Sequence, residues 1–158
     1  MSLFSKHFES PLGQIEIRAS DDAITAVRFA GEARIENNSN DLADRCAEQL
    51  MEYFASERKD FDLALGPNGT GFEKQIWKEI MKIPYGTTCS YLEIANRLSN
   101  PKATRAVGGA VGANPIAIIV PCHRVIGSDG SLTGYGGELW RKRWLLDHEA
   151  RVSGRSLI

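Results

Sequence analysis

Long apolar runs are missing from this chain of 158 residues. None approaches the roughly 20 residues needed to span a bilayer, so a helical membrane protein is excluded. Met1 to Leu12 also lacks the apolar core of a secretory leader, because Lys6, His7 and Glu9 interrupt it. A cytoplasmic location is expected. Cysteine is scarce, and the three present (Cys46, Cys89 and Cys122) are odd in number and far apart. That pattern argues against a disulfide framework and fits a reducing compartment. Internal repeats and low-complexity tracts are absent. An excess of one charge is lacking too: the net charge is −1, which taken alone argues against nucleic acid as a partner. The average hides an asymmetry. Residues 1–70 carry 7 Lys/Arg against 13 Asp/Glu, a net −6, and residues 71–158 carry 12 against 7, a net +5. An acidic half joined to a basic half predicts two modules, the second facing an anion. Two solvated surfaces that differ by chance are the bland alternative.

What is present has two different periods. Gln14 to Ala19 alternates Ile15 and Ile17 with Glu16 and Arg18, and Val27 and Phe29 flank Arg28. Both are the two-residue repeat of half-buried strands. Phe4 to Phe8 is a weaker strand pattern. From Asp41 the apolar positions fall four apart, at Leu42, Cys46, Leu50 and Phe54, with Ala43, Ala47 and Met51 beside them. That is a helical stripe, and it makes Cys46 a core residue. Gly66-Pro67-Asn68-Gly69 reads as a linker and coincides with the change of charge. Thr70 and Glu73 form a capping box ahead of Phe72, Ile76, Trp77 and Ile80. Pro84-Tyr85-Gly86 ends that helix. Ser90 and Glu93 open a short one through Ile94, Ala95 and Leu98, and Ser99-Asn100-Pro101 breaks it before a third. Two short helices joined by a tight turn predict a helix-turn-helix. Trp140, Trp144 and Leu145 mark a last helix. The expected fold class is α+β: a small antiparallel sheet plus helix over 1–65, a linker at 66–70, and a mainly helical domain with the helix-turn-helix over 71–158.

Two features point to chemistry. The helix after Pro101 holds Ala103, Ala106, Val107, Gly108, Gly109, Ala110 and Gly112, and so has almost no side-chain bulk. Each interior glycine costs a helix about 1 kcal/mol relative to alanine. Close approach of another surface would explain that cost, whether a neighbouring helix or a nucleic-acid groove. Arg105 is the one long cation on this helix, and a slim helix can carry such a side chain into a minor groove. A major-groove reader would instead show several polar side chains. The second feature is the run Ile118-Ile119-Val120-Pro121-Cys122-His123-Arg124-Val125-Ile126. It delivers a cysteine into an apolar setting with an imidazole and a guanidinium beside it. Buried cysteines are usually inert, but a neighbouring base or cation favours the reactive thiolate. Cys89 is the rival nucleophile, just before the Ser90 cap, and it lacks an adjacent histidine.

Pro121-Cys122-His123-Arg124-Val125 resembles the active-site signature of the O6-alkylguanine-DNA alkyltransferases, also called methylated-DNA–protein-cysteine methyltransferases, of bacterial type. The likeness extends in order through Phe72 to Trp77, Ile83-Pro84-Tyr85-Gly86, Ser90-Tyr91, Ile94-Ala95, Asn100-Pro101-Lys102-Ala103, Arg105 to Ala110, Asn114-Pro115, Tyr135, and Trp144-Leu145-Leu146 to His148-Glu149. It is strong over 70–150 and holds only in outline before that. The resemblance implies a DNA-repair transferase that flips O6-alkylguanine out of double-stranded DNA and moves the alkyl group irreversibly to its own cysteine, once per molecule. Cys122 is then the acceptor. His123 takes the thiol proton through a water, Glu149 orients the histidine, and Tyr91 donates to the departing guanine. Asn114 organises the turn beside the cysteine. Arg105 fills the gap left by the flipped nucleotide, and Ala103, Thr104, Ala106, Gly108, Gly109, Arg124, Tyr135 and Gly136 line the DNA or the flipped base. No cofactor and no metal are implied, no membrane is involved, and the expected state is a monomer. Whether O4-alkylthymine is also a substrate stays open.

The chemistry agrees with that resemblance. Attack on saturated carbon suits a soft thiolate beside a general base, and a hydroxyl donor lowers the barrier for a purine leaving group. The stacked target must be flipped, at a cost of a few kcal/mol. Two departures bear on substrate range: Gly136 stands where some members carry serine, and Glu138 replaces a small residue. Members that bind zinc use N-terminal cysteines and histidines, and this chain has only His7 and Cys46 there. Two other classes remain. A cysteine hydrolase would need an oxyanion hole and repeated turnover. A non-catalytic lesion-binding relative would carry tryptophan in place of Cys122.

Overall fold

The computed structural model describes residues 3–31, 37–133 and 138–154. The chain divides into two compact units, Met1–Asn68 with Pro115–Ile119, and Gly69–Asn114 with Val120–Ile158. The first holds a three-stranded antiparallel sheet in the order β1 (Phe4–Ser10), β2 (Gly13–Ala19), β3 (Ile24–Phe29). A two-residue connection joins β1 to β2. There the Ser10 hydroxyl donates to Gly13 O at 2.7 Å, and Gly13 takes a φ of +100° that side chains avoid. Ile15, Ile17 and Ala19 are fully buried, so the two-residue period of β2 does mark its core face. Helix α1 (Asp41–Phe54) packs on this sheet, its N-terminus capped by Asn40 Oδ1, which accepts from Ala43 N at 2.9 Å.

The buried face of α1 is turned from the expected stripe. Ala43, Cys46, Ala47, Gln49, Leu50 and Tyr53 face inward, while Met51 is 47% exposed. Gln49 is tolerated inside because both ends of its amide are satisfied: Nε2 donates to Asp62 O at 3.2 Å and Oε1 accepts from Asp62 N at 2.9 Å. The free edge of β3 is covered by two short segments. Ile24 pairs with Leu65, and Val27 pairs with Ile116 through Val27 N to Pro115 O (2.9 Å) and Ala117 N to Val27 O (3.0 Å). A single boundary at 66–70 assigns Pro115–Ile119 to the second module; here this segment belongs to the first unit. Ile118 lies within it at φ +71°, a rare setting for a β-branched residue.

The second unit runs α2 (Gly71–Ile80), β4 (Cys89–Ser90), α3 (Tyr91–Arg97), a 3₁₀ turn (Pro101–Ala103), α4 (Thr104–Gly112), a second 3₁₀ turn (Cys122–Arg124), β5 (Val125–Ile126) and α5 (Leu139–Val152). Both capping boxes close, Thr70 with Glu73 and Ser90 with Glu93. On α2, Ile76, Trp77 and Ile80 are buried, whereas Phe72, in the first turn, is 38% exposed. Trp77 Nε1 donates to Ala110 O at 2.8 Å and pins α2 to α4. Helices α3 and α4 pack together as the helix-turn-helix, with Val107, Ala110 and Val111 inward. Strands β4 and β5 pair in parallel, Cys89 opposite Val125. This short pairing sets the start of α3 beside the chain that follows Cys122.

Candidate active site

Cys122 opens the 3₁₀ turn and is 6% exposed. The turn is tied from both sides at one carbonyl: Val120 O accepts from Cys122 N at 2.8 Å and from Asn114 Nδ2 at 2.9 Å. Asn114 also hydrogen-bonds the thiol. Burial raises the pKa of Cys122, opposed by that bond and by the charge of Lys142.

His123 and Arg124 turn inward to one carboxylate. His123 Nε2 lies 2.6 Å from Glu149 Oε2. Arg124 grips the same carboxylate twice, Nε to Oε1 at 2.8 Å and Nη2 to Oε2 at 3.0 Å, and its Nη1 donates to Ile83 O at 2.8 Å. Gly86 N adds a fourth bond to Glu149 Oε1 at 3.1 Å. Burial alone would raise the Glu149 carboxyl, but the His123 and Arg124 contacts override it and hold it well below the usual carboxylate range. Burial lowers the pKa of His123 despite Glu149, which keeps the ring neutral. An ionised Glu149 accepts from Nε2, so the proton of the neutral ring sits there. Nδ1 is then the basic nitrogen, and it has no protein partner among the described residues.

Tyr91, the first residue of α3, donates its phenol to Thr133 O at 2.9 Å. Burial raises the pKa of that phenol. Thr133 O also accepts from Lys142 Nζ at 2.9 Å, and Val125 O accepts from the same ammonium at 2.5 Å. Lys142 is fully buried, 5.8 Å from the Tyr91 ring centroid. Sequence reasoning passed over it. The signal was its spacing: Lys142, Leu145, Leu146 and Glu149 fall on one helical face at i, i+3, i+4 and i+7, and all four are buried. The tryptophans chosen to mark this helix do not define its core, since Trp140 is 49% exposed.

On α4, Arg105, Ala106 and Gly109 are exposed, and Thr104 and Gly108 are half-buried, as is Ala103 at the end of the preceding 3₁₀ turn. The Thr104 hydroxyl donates to Pro101 O at 2.9 Å. A Cβ built on Gly109 meets nothing within 4 Å, and one on Gly108 meets only a Tyr91 ring carbon at 3.9 Å. Packing within this chain therefore does not require either glycine. Arg124 needs a correction. Expected among the DNA contacts, it is 6% exposed with its donors spent on Glu149 and Ile83. Its role here is to neutralise a buried carboxylate. Tyr135 and Gly136 lie outside the described residues. Glu138, just after them, sits at φ +75°, and its carboxylate accepts from Trp140 Nε1 at 3.0 Å.

A buried cysteine, a neutral histidine oriented by a carboxylate, and a bare helix carrying one exposed arginine define a thiol transferase built beside a nucleic-acid-binding motif. Two family models match the chain: the DNA binding domain of 6-O-methylguanine DNA methyltransferase over residues 71–151, and the ribonuclease-like domain of the same protein over residues 3–67. A methylated-DNA–protein-cysteine methyltransferase of Methanosarcina acetivorans is 47% identical over 148 residues, covering 90% of this chain and 95% of its own. That of Mycolicibacterium paratuberculosis is 46% identical over 154 residues, covering 94% and 93%. Among solved structures, the Mycobacterium tuberculosis O6-methylguanine methyltransferase superposes with a TM-score of 0.86 at 40% identity, covering 95% of this chain and 94% of that one. The OGT of the same organism in complex with DNA gives 0.85 at 42% identity, covering 94% and 93%. The chain belongs to the 6-O-methylguanine DNA methyltransferase family.

Proposed function

We propose that this protein repairs O6-alkylguanine in double-stranded DNA by transferring the alkyl group to Cys122, once per molecule and without a cofactor. The observation that carries the assignment is the buried set Cys122, His123, Glu149 and Arg124, in which the carboxylate bonds leave Nδ1 of a neutral His123 as the base. His123 takes the thiol proton through a water. The thiolate attacks the alkyl carbon, a sulfur–carbon bond forms, and the bond from that carbon to guanine O6 breaks. The departing guanine gains a proton, which balances the one lost by the thiol. Tyr91 shifts its phenol from Thr133 O to the guanine as charge builds there. The thioether product has no ready hydrolytic exit, hence one turnover.

The open face of α4 supports the DNA half of the reading. Arg105 fills the space of the flipped nucleotide, and Gly108, Gly109, Ala106, Ala103 and Thr104 let the helix lie close in the minor groove. A cytoplasmic location follows, since the chemistry needs a reduced thiol. No helix among the described residues is long and apolar enough to cross a membrane. The test is intact-protein and peptide mass spectrometry after mixing with a duplex carrying O6-methylguanine, beside Cys122→Ser. The expected result is one methyl group per protein, on Cys122, absent from the variant. Lesion-dependent binding without mass gain would make the protein a non-catalytic lesion binder, and a methyl group on Cys89 would move the site.

A further inference from the structure

We propose that Lys142 is a positioning residue whose buried ammonium holds the Cys122 thiolate and lowers the pH at which it forms. The proposal rests on the reading of Cys122 as the alkyl acceptor. Its starting point is an imbalance of charge. Among the described residues of the second unit the buried ionisable groups other than the cysteines are Arg124, Glu149, His123, His148 and Lys142. Arg124 and Glu149 neutralise each other through two hydrogen bonds, and His123 is held neutral against the same carboxylate. His148 stacks on Trp144 with ring centroids 4.9 Å apart. Lys142 remains as a cation, and among the described residues no carboxylate pairs with it. Two carbonyls, Val125 O and Thr133 O, solvate its ammonium. A buried charge without a counter-ion is expensive to keep, and an apolar side chain of the same length would fill the space at lower cost.

The thiolate supplies the missing anion. Val125 follows Cys122 by three residues, so the bond from Nζ to Val125 O anchors the ammonium to the cysteine's own turn. Three side chains act on the cysteine from different places in the fold, Asn114 from just past α4, Tyr91 from α3 and Lys142 from α5, while His123 meets it through its backbone. Asn114 offers a neutral hydrogen bond, Tyr91 keeps its proton, and Arg124 is committed to Glu149. Among the described residues, Lys142 is thus the full positive charge that acts on the sulfur. The influence is mutual: burial brings the ammonium down to about 8, while the cysteine's charge pushes it back up. Proton removal by His123 and ion pairing by Lys142 then divide the work of making a nucleophile in a dry site.

The test is the pH profile of Cys122 alkylation by iodoacetamide without DNA, read by peptide mass spectrometry, for wild type, Lys142→Met and Lys142→Arg. Loss of the ammonium should raise the midpoint by about one pH unit, a rate about tenfold lower at pH 7.5, with arginine restoring most of it. A purely structural lysine would lower the melting temperature and leave the midpoint in place, and that result overturns the proposal. If Lys142→Met does not fold, ¹³Cε-lysine NMR on wild type and Cys122→Ser decides. The Lys142 midpoint should fall by about half a unit or more when the sulfur is removed, and an unchanged midpoint is the refuting outcome. Methyl transfer from an O6-methylguanine duplex to the wild type is measured in parallel. Its failure refutes the alkyl-acceptor reading, whereas normal transfer with an unmoved Lys142→Met midpoint refutes only the role of Lys142.

Discussion

Glu149→Gln should be far more damaging than its size suggests. The carboxylate takes four hydrogen bonds, from His123 Nε2 at 2.6 Å, Arg124 Nε at 2.8 Å, Arg124 Nη2 at 3.0 Å and Gly86 N at 3.1 Å. An amide keeps one oxygen and turns an NH₂ towards groups that are themselves donors. Arg124, 6% exposed, loses its counter-charge and keeps only neutral partners, Ile83 O among them. Stranding a buried charge in this way costs about 3–5 kcal/mol, a large part of the roughly 5–15 kcal/mol that holds a protein folded. At about 2–4 °C per kcal/mol for a chain of this size, the melting temperature should drop by about 10 °C. Thermal unfolding followed by circular dichroism at pH 7.5 reads this directly. The double variant Arg124→Met with Glu149→Gln removes the stranded charge, so it should be more stable than Glu149→Gln alone. A Glu149→Gln melt within about 2 °C of wild type would refute the reasoning. So would a double variant whose loss equals the sum of the two single losses.

Gly109→Ala should raise the melting temperature, because alanine gains about 0.5–1 kcal/mol in a helix and its Cβ meets nothing; it should also weaken binding to duplex DNA. Greater stability with unchanged DNA affinity in a filter-binding titration would remove the minor-groove role of α4. Arg105→Ala, at an exposed position, should leave the melt unchanged and slow single-turnover repair about tenfold or more, since flipping costs a few kcal/mol; an unchanged rate would exclude Arg105 as the finger. Stability should fall as the pH drops below 6.5. The folded pKa of His123 is lowered, so the unfolded chain takes up that proton first and its histidine favours unfolding. Glu149, whose folded pKa is also lowered, adds a loss of the same sign as the pH falls below about 4.5. Urea unfolding from pH 7.5 to 5, with His123→Asn as control, checks the sign: the slope above pH 5 should shrink in the variant.

Much of the architecture was legible because local rules decided it. The capping boxes at Thr70 and Ser90, the alternation in β2 and the break at Ser99-Asn100-Pro101 act over a few residues, and each appears where its chemistry predicts. What was not legible depends on partners far away in the chain. On α1 the inward face includes Gln49, held by the backbone of Asp62, while Met51 is 47% exposed. Pro115–Ile119 carries no period of its own and is held by the edge of β3, about ninety residues earlier in the chain.

The candidate site divides along the same line. Cys122 and His123 announce themselves because they are adjacent, but adjacency says nothing about which way Arg124 points. A cation next to a reactive cysteine and a DNA-binding motif reads naturally as a phosphate contact. Its actual direction is set by Glu149, 25 residues later and one helix away. Burial of that carboxylate demands a full counter-charge, and Arg124 is close enough to give it in two bonds. Once Arg124 is spent inside, it is not available to DNA, and the long cation left exposed on the bare α4 is Arg105. Lys142 stands out on the same ground of buried charge. A lysine at a core position of an amphipathic helix conflicts with its local pattern, and such conflicts are expected where function outweighs stability. The i, i+3, i+4, i+7 spacing of Lys142, Leu145, Leu146 and Glu149 was readable in the sequence. Its meaning was not, because it depends on an anion that exists only when Cys122 gives up its proton.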